Sequence, residues 1–141
     1  MNDSLPLIGA RGLDDVLAWR AQGPARVREF LADAHALAQR LPEGGWLLNV
    51  CEDRYHFAVG FAAGLLAGKV SLQPSSQSPE TLQRLAADYP GVCWLGDRPG
   101  AVPDLPGMAF PDLAAGPRPE VHDMPHVDVE RVVAILFTSG S

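Results

Sequence analysis

The last residues of the chain form the pattern that most clearly indicates a chemical function. An apolar, β-prone run over 132–137 leads directly into Thr138, Ser139, Gly140 and Ser141. Successive backbone N–H groups in such a turn can converge on one anion, and the hydroxyls add donors for phosphate oxygens. Glycine lets a ligand approach the backbone closely. The pattern predicts polyphosphate binding, and the simpler alternative is a strand that runs into an ordinary polar turn.

Two better-known motifs do not fit this turn. A Walker loop requires the pattern G-x-x-x-x-G-K-[ST], which the chain does not contain. The G-x-S-x-G elbow of serine hydrolases requires a glycine where Phe137 stands, and that chemistry also needs an acid and a histidine downstream. The sequence therefore favours neither of these two classes.

Alternating strands and helices must position the turn. Short apolar runs predict buried strands, and longer stretches with three- and four-residue spacing of apolar side chains predict helices. The predicted strands are 46–51, 70–74 and 92–95, and the predicted helices are 13–20, 27–41, 55–69 and 78–88. This order predicts an α/β fold, with βαβ units and a mainly parallel sheet flanked by helices.

The helix predicted over 55–69 contains glycine at every fourth position, Gly60, Gly64 and Gly68. Each glycine inside a helix costs roughly 1 kcal/mol relative to alanine. Close packing of a glycine-lined stripe against the sheet would offset that cost, and Gly68 could end the helix. We therefore expect this helix to lie directly on the sheet.

Three segments differ in composition. Residues 1–97 form the predicted α/β core, and residues 98–126 form an irregular connection with seven of the chain's 13 prolines. A short strand could lie within that connection at 107–110. Residues 127–141 form a strand that leads into the predicted phosphate loop.

Charge and hydropathy exclude several classes of protein. The chain has 141 residues, with 11 basic and 17 acidic side chains and a net charge of −6. A general nucleic-acid binder would need a basic face. No basic and apolar leader opens the sequence. The longest apolar run, 57–68, is shorter than the roughly 20 residues of a membrane span. We expect a soluble cytoplasmic protein that binds no nucleic acid.

Three isolated residues are weak candidates for a chemical role. Cys51 and Cys93 are far apart and form no C-x-x-C pair, so they are predicted to be reduced thiols in the core. Lys69 is the only lysine, and its place at a helix end favours a structural or solvated role.

Two small clusters have alternative interpretations. Glu52, Asp53 and His56 follow a predicted strand, where they could form an acid–base group or cap the next helix. His122 and His126 have the spacing of metal ligands on a helix, but Pro125 disfavours a helix and favours a plain loop.

The segment Ala-Ile-Leu-Phe-Thr-Ser-Gly-Ser at 134–141 resembles the start of the phosphate-binding motif of adenylate-forming enzymes. These enzymes include acyl-CoA synthetases, aryl-CoA ligases and the adenylation domains of peptide synthetases. Their motif continues Thr-Gly-x-Pro-Lys, and the present sequence stops before that point. Residues 46–72 and 73–95 are similar to the early strand–helix–strand region of the same family. The loop 49–53 departs from the family's usual Pro-Asn.

The resemblance implies the N-terminal subdomain of the adenylate-forming fold, truncated in its phosphate loop. Such an enzyme uses ATP and Mg²⁺ to convert a carboxylic acid, fatty or aryl, into an acyl-adenylate. It then transfers the acyl group to the thiol of CoA or of a carrier protein's phosphopantetheine. Thr138, Ser139, Gly140 and Ser141 match the part of the loop that holds the β- and γ-phosphates.

The resemblance also limits what 141 residues can do. The loop lysine, the acyl pocket and the C-terminal catalytic domain of the family lie beyond Ser141. We therefore expect no ligase activity and no tightly bound cofactor in this chain alone. We also expect it to self-associate through an exposed sheet edge. The alternative is a stand-alone Rossmann-like binding or regulatory module.

Overall fold

Nine strands and three helices are present in the computed structural model, which describes residues 4–9, 12–20, 23–98, 105–113, 116, 119–128 and 134–136. The strands are β1 (Ser4–Pro6), β2 (Val16–Arg20), β3 (Gly23–Arg26), β4 (Trp46–Asn49), β5 (Val70–Gln73), β6 (Cys93–Gly96), β7 (Gly107–Ala109), β8 (His126–Asp128) and β9 (Ala134–Leu136). The helices are α1 (Val27–Ala38), α2 (Arg54–Leu66) and α3 (Pro79–Asp88).

A five-stranded sheet with the order β7-β6-β4-β5-β9 forms the centre of the fold. All four of its pairings are parallel. Helix α2 connects β4 to β5, and α3 connects β5 to β6, so each connection is a βαβ unit. The predicted α/β class with a mainly parallel sheet is confirmed.

Side chains alternate between the two faces of this sheet, and each face has its own apolar cluster. Leu47 and Leu95 pack with α1 and α2, whereas Leu48 and Leu72 pack with α3. All four side chains are fully buried. Strands buried on both faces explain the nearly continuous apolar runs in the sequence.

Glycines bring α2 very close to the sheet. A Cβ atom added at Gly60 would lie 2.7 Å from Asn49 Nδ2 and from Leu95 Cδ2, and one added at Gly64 would lie 3.1 Å from Leu47 Cδ2. The expected glycine-lined contact is therefore confirmed. Gly68, with φ of +79°, follows the end of α2 in the left-handed region that favours glycine.

Gly60→Ala should test this contact. Alanine favours a helix by roughly 1 kcal/mol, but its methyl group would overlap buried side chains, and such overpacking costs about 1–3 kcal/mol. We expect a net loss of unfolding free energy in urea titrations. Gly45→Ala is the control, because a Cβ there meets nothing within 4 Å. Equal stability of the two variants would contradict a tight contact between α2 and the sheet.

The helix predicted over 13–20 is wrong, because residues 16–20 form β2, which pairs antiparallel with β3. Asp15 supports the preceding turn by accepting a hydrogen bond from Gly12 N at 2.7 Å. Gly23 begins β3 with φ of +121°. Aspartates favour helix N-termini, but Asp14 and Asp15 belong to a turn here. Cross-strand pairing outweighs the weak local preference for a helix.

The connection over 98–126 contains more regular structure than its composition indicated. The short strand considered at 107–110 is confirmed as β7, which extends the sheet beside β6. At the end of the connection, β8 pairs with β1, and this small sheet was not predicted. Strands β7 and β8 are each three residues long, so they contain too few side chains for a detectable alternation of apolar and polar residues.

One acidic side chain of α1 is buried. Asp33 is only 4% exposed. Tyr55 on α2 donates a hydrogen bond to Asp33 Oδ2 at 2.6 Å, so the carboxylate joins the two helices.

Within the described part of the chain, no helix has the length and apolar character needed to cross a membrane.

Candidate functional site at the carboxyl edge of the sheet

The predicted phosphate-binding residues Thr138, Ser139, Gly140 and Ser141 lie outside the described residues. The strand that precedes them is present as β9, parallel to β5 with Ile135 opposite Leu72. The carboxyl end of β9 therefore lies at the same edge as those of β4, β5 and β6. Open α/β sheets bind ligands at this edge, which makes it the candidate site.

Asp97, directly after β6, organises the described part of this edge. Its side chain is 9% exposed, and its two oxygens accept hydrogen bonds from the backbone N–H groups of Glu52, at 2.8 Å, and Asp53, at 3.0 Å. The carboxylate thereby ties the loop after β4 to the end of β6. Sequence reasoning did not single out Asp97 as a site residue. An acid placed directly after a buried strand was the available signal.

His56 completes the group around Asp97. Its Nδ1 lies 3.0 Å from Asp97 Oδ2, and its ring stacks on Phe110 with centroids 4.2 Å apart and planes 18° from parallel. The bond to a carboxylate places a proton on Nδ1. We call Glu52, Asp53, His56, Asp97 and Phe110 the carboxyl-edge cluster.

The two proposed roles for the acids after β4 can now be separated. Asp53 is the N-cap of α2, because its side chain accepts a hydrogen bond from His56 N at 2.9 Å. Glu52 is exposed and pairs with Arg98 at 3.0 Å. The capping role is therefore confirmed for Asp53, and the histidine is held by Asp97 rather than by either of these acids.

The surroundings of Asp97 favour its charged form. Burial alone would raise the pKa of its carboxyl group, but the two backbone N–H groups and His56 outweigh burial and hold that pKa below its ordinary value. Because the folded-state pKa is depressed, the carboxylate stabilises the fold above its unfolded pKa near 3.9. The stabilisation is lost as pH falls through the folded-state pKa.

Asp97→Asn should lower the unfolding free energy at pH 7, because the loop N–H groups lose a charged acceptor. Hydrogen bonds to charged groups contribute about 1.5–3 kcal/mol, and we expect a loss in that range. The loss should shrink as the pH falls below the unfolded-state pKa of about 3.9, where the unfolded chain takes up the proton first, and should vanish below the folded-state pKa. Asp53→Asn is the control, since asparagine caps helices equally well. A loss that does not depend on pH would contradict the charged role of Asp97.

The two cysteines are free and buried, as predicted. Burial, with the carboxylates of Asp97 and Asp53, raises the pKa of the Cys51 thiol to about 12. Burial also raises the pKa of Cys93. Because the thiolate is the reactive form, neither cysteine is a candidate nucleophile at neutral pH.

Lys69 has a structural position. Its side chain is buried, and Nζ donates hydrogen bonds to Pro42 O, at 2.6 Å, and to Gly44 O. These carbonyls belong to the connection between α1 and β4, which Lys69 ties to the end of α2. The structural alternative is confirmed, and the solvated one is wrong.

Neither histidine of the pair lies on a helix. His126 lies in β8, with Nδ1 3.0 Å from Met124 O. His122 is exposed, and its Nε2 lies 3.4 Å from Glu120 Oε2. The described residues include no group of three or more histidine, cysteine or acidic side chains that could hold a metal ion.

An apolar groove of about 610 Å³ lies on the outer side of α2, away from the sheet. Strand β2, Phe30 of α1 and the residues after β1 form its other walls. Its lining includes Leu7, Ile8, Leu17, Phe57, Phe61 and Leu65. We call it the outer groove. It is separate from the carboxyl-edge cluster, none of whose residues lines it.

Comparisons of sequence identify no relative. No family model matches the chain, and no curated protein matches it. Comparison of structures, in contrast, gives clear matches to solved proteins.

Three of these structural matches illustrate the result. The N-terminal subdomain of NpsA from Klebsiella oxytoca aligns over 91% of this chain and 35% of its own, with a TM-score of 0.68 and 19% identity. MatB from Rhodopseudomonas palustris aligns over 90% of this chain and 30% of its own, with a TM-score of 0.67 and 20% identity. The AMP complex of O-succinylbenzoate coenzyme A synthetase (MenE) from Bacillus subtilis aligns over 87% of this chain and 35% of its own, with a TM-score of 0.65 and 13% identity.

These identities are low, so the matches establish the fold. The chain has the fold of an N-terminal subdomain such as that of NpsA, and it spans about a third of the length of the structures it matches. The expected N-terminal α/β fold of adenylate-forming enzymes is thereby confirmed.

Proposed function

We propose that this chain is the N-terminal part of an ATP-dependent acid–thiol ligase that forms an acyl-adenylate. The observation that supports this most directly is the structural match to NpsA over 91% of the chain. In addition, the Thr-Ser-Gly-Ser sequence follows β9, a parallel strand whose carboxyl end lies at the edge where such sheets bind ligands.

In this proposal, the chain's own contribution is to bind and orient phosphate groups. The backbone N–H groups and hydroxyls of Thr138, Ser139 and Ser141 are suitable donors for phosphate oxygens. Gly140 leaves room for a phosphate to approach the backbone. Mg²⁺ would add charge neutralisation between phosphate oxygens when bound with ATP.

The proposed reaction has two steps. A carboxylate oxygen of the substrate forms a bond to the α-phosphorus of ATP while the bond to the β-phosphate oxygen breaks and pyrophosphate leaves. The thiol of CoA or of a carrier protein then forms a thioester bond to the acyl carbon, loses its proton, and AMP leaves. Positioning dominates such phosphoryl transfer, so a rigid sheet edge is a suitable support for the loop.

Features of the matched proteins are consistent with both kinds of acceptor. MenE is described as a coenzyme A synthetase, whereas NpsA has been studied as an adenylation domain fused to a carrier domain. McyG is described as an adenylation–carrier unit in complex with phenylalanyl-adenylate. For the present protein we propose a carboxylic acid substrate, with CoA or a carrier protein as the acceptor, in the cytoplasm.

ATP–pyrophosphate exchange with a panel of aryl and aliphatic carboxylic acids tests the proposal. The 141-residue chain should show no exchange, and the longer protein obtained by following the reading frame past codon 141 should show it. Ser139→Ala in the longer protein should reduce exchange by about tenfold or more, because losing one donor to a developing charge has effects of about 10²–10³.

Ser76→Ala provides the matched control, because Ser76 is an exposed residue before α3 whose hydroxyl accepts a local hydrogen bond from Ser78 N. It should leave exchange unchanged. ATP binding by the longer protein without exchange for any acid would contradict ligase function and favour the binding or regulatory module. Exchange by the 141-residue chain itself would contradict its proposed inactivity.

A further inference from the structure

A side-chain amide at the end of β5 has an unused hydrogen-bond donor. The nitrogen Nε2 of Gln73 is buried, and within the described ranges no group accepts a hydrogen bond from it. The other atom of this kind there is Arg20 Nε, whose guanidinium already pairs with Glu29 at 3.3 Å. A buried donor without a partner destabilises a folded protein, so its presence needs an explanation. An acceptor on a bound molecule would supply one.

The position of Gln73 places this donor at the candidate site. Gln73 is the last residue of β5, so it lies at the carboxyl edge of the sheet, and its partner on β9 is Leu136. The Thr-Ser-Gly-Ser sequence begins two residues after Leu136. Neighbouring strands are about 4.8 Å apart, and two residues span at most about 7 Å. Gln73 therefore lies beside the strand end from which the predicted phosphate loop starts.

A neighbouring amide shows what a structural role looks like at this edge. Asn49, the last residue of β4, lies opposite Gln73 in the register of the β4–β5 pairing. Its Oδ1 accepts a hydrogen bond from Cys51 N at 3.2 Å, and its Nδ2 donates one to Phe57 O at 3.0 Å. Both ends of the Asn49 amide thus hold the start of α2. The nitrogen of Gln73 makes no comparable bond to the described part of the fold.

The chemistry of the donor favours an anionic oxygen as its acceptor. A side-chain amide nitrogen offers two N–H groups, and a hydrogen bond is stronger when its acceptor is ionised. Phosphate oxygens are such acceptors. The hydroxyls and N–H groups proposed for the loop after β9 would contact a phosphate from one side, and Gln73 would contact it from the side of β5.

We infer that the Gln73 amide donates a hydrogen bond to an oxygen of the β- or γ-phosphate of the bound nucleotide. This inference rests on the proposed function, because the loop beside Gln73 is assigned to those two phosphates there. It makes Gln73 a binding residue for polyphosphate. AMP has only the α-phosphate, so its binding should not depend on this amide.

The stability of the 141-residue chain tests whether the amide is unused in the free protein. Gln73→Met keeps the length of the side chain and removes the unpartnered donor, so we expect a higher midpoint in urea titrations. Gln77→Met is the matched control, because Gln77 is an exposed glutamine before α3, and it should leave the midpoint unchanged. A lower midpoint for Gln73→Met would show that the amide stabilises the free fold, and would overturn the inference.

Binding to the longer protein, measured by calorimetry, tests the phosphate contact. Gln73→Met should weaken the binding of ATP and of inorganic pyrophosphate by about tenfold or more, as expected for one hydrogen bond to a charged group. The affinity for AMP should stay within about twofold of the native value. Gln77→Met should leave all three affinities unchanged. Equal weakening of AMP and ATP by Gln73→Met would indicate a general distortion of the site and would overturn the inference.

The outcomes separate this inference from the ligase proposal. Native ATP affinity of Gln73→Met, in a longer protein that catalyses pyrophosphate exchange, overturns the phosphate contact and leaves the ligase function standing. Binding of ATP and pyrophosphate that depends on Gln73, without exchange for any acid, supports the contact and contradicts the ligase function. A longer protein that binds neither ATP nor pyrophosphate overturns both, as does a stop codon directly after codon 141.

Discussion

The contact between the glycine face of α2 and the central sheet is the constraint on which the rest of the structure depends. Gly60 lets the helix backbone approach Asn49 and Leu95 at distances that a β-carbon would not allow without a shift, and a β-carbon at Gly64 would lie 3.1 Å from Leu47 Cδ2. This proximity brings α2 and α1 onto one face of the sheet and leaves the other face to α3. The cost of two helical glycines is offset by close packing of buried apolar groups.

The same contact determines the geometry of the carboxyl edge. Because α2 starts immediately after β4, its N-terminus and the preceding loop are brought to the end of β6, where Asp97 accepts two backbone hydrogen bonds. His56, in the first turn of α2, reaches the same carboxylate and Phe110. This edge is therefore rigid on the side of β4 and β6, and β9 ends at the same edge two strands from β4.

Parts of this organisation could be predicted from the sequence and parts could not. The strands β4, β5 and β6 and the three helices have strong periodicity or continuous apolar runs, so their existence and type were predictable. The hairpin was not, because residues 13–20 contain early aspartates and few apolar repeats, and β2 is stabilised by pairing with β3. The burial of Asp33 was not predictable for a related reason, since a helical pattern does not show that the carboxylate will accept a hydrogen bond from Tyr55 of another helix.

The candidate site divides in the same way. The sequence by itself determined the chemistry at the end of the chain, because hydroxyls and glycine after an apolar strand have phosphate-binding potential wherever the strand lies. It also determined that Asp53 could cap α2, which is a local interaction between residues three apart. Only the tertiary structure decided that Asp97 and His56 meet, that Lys69 is buried against loop carbonyls, and that α2 has an uncovered apolar face. These features join residues far apart in sequence or depend on how layers stack, and local pattern contains no information about either.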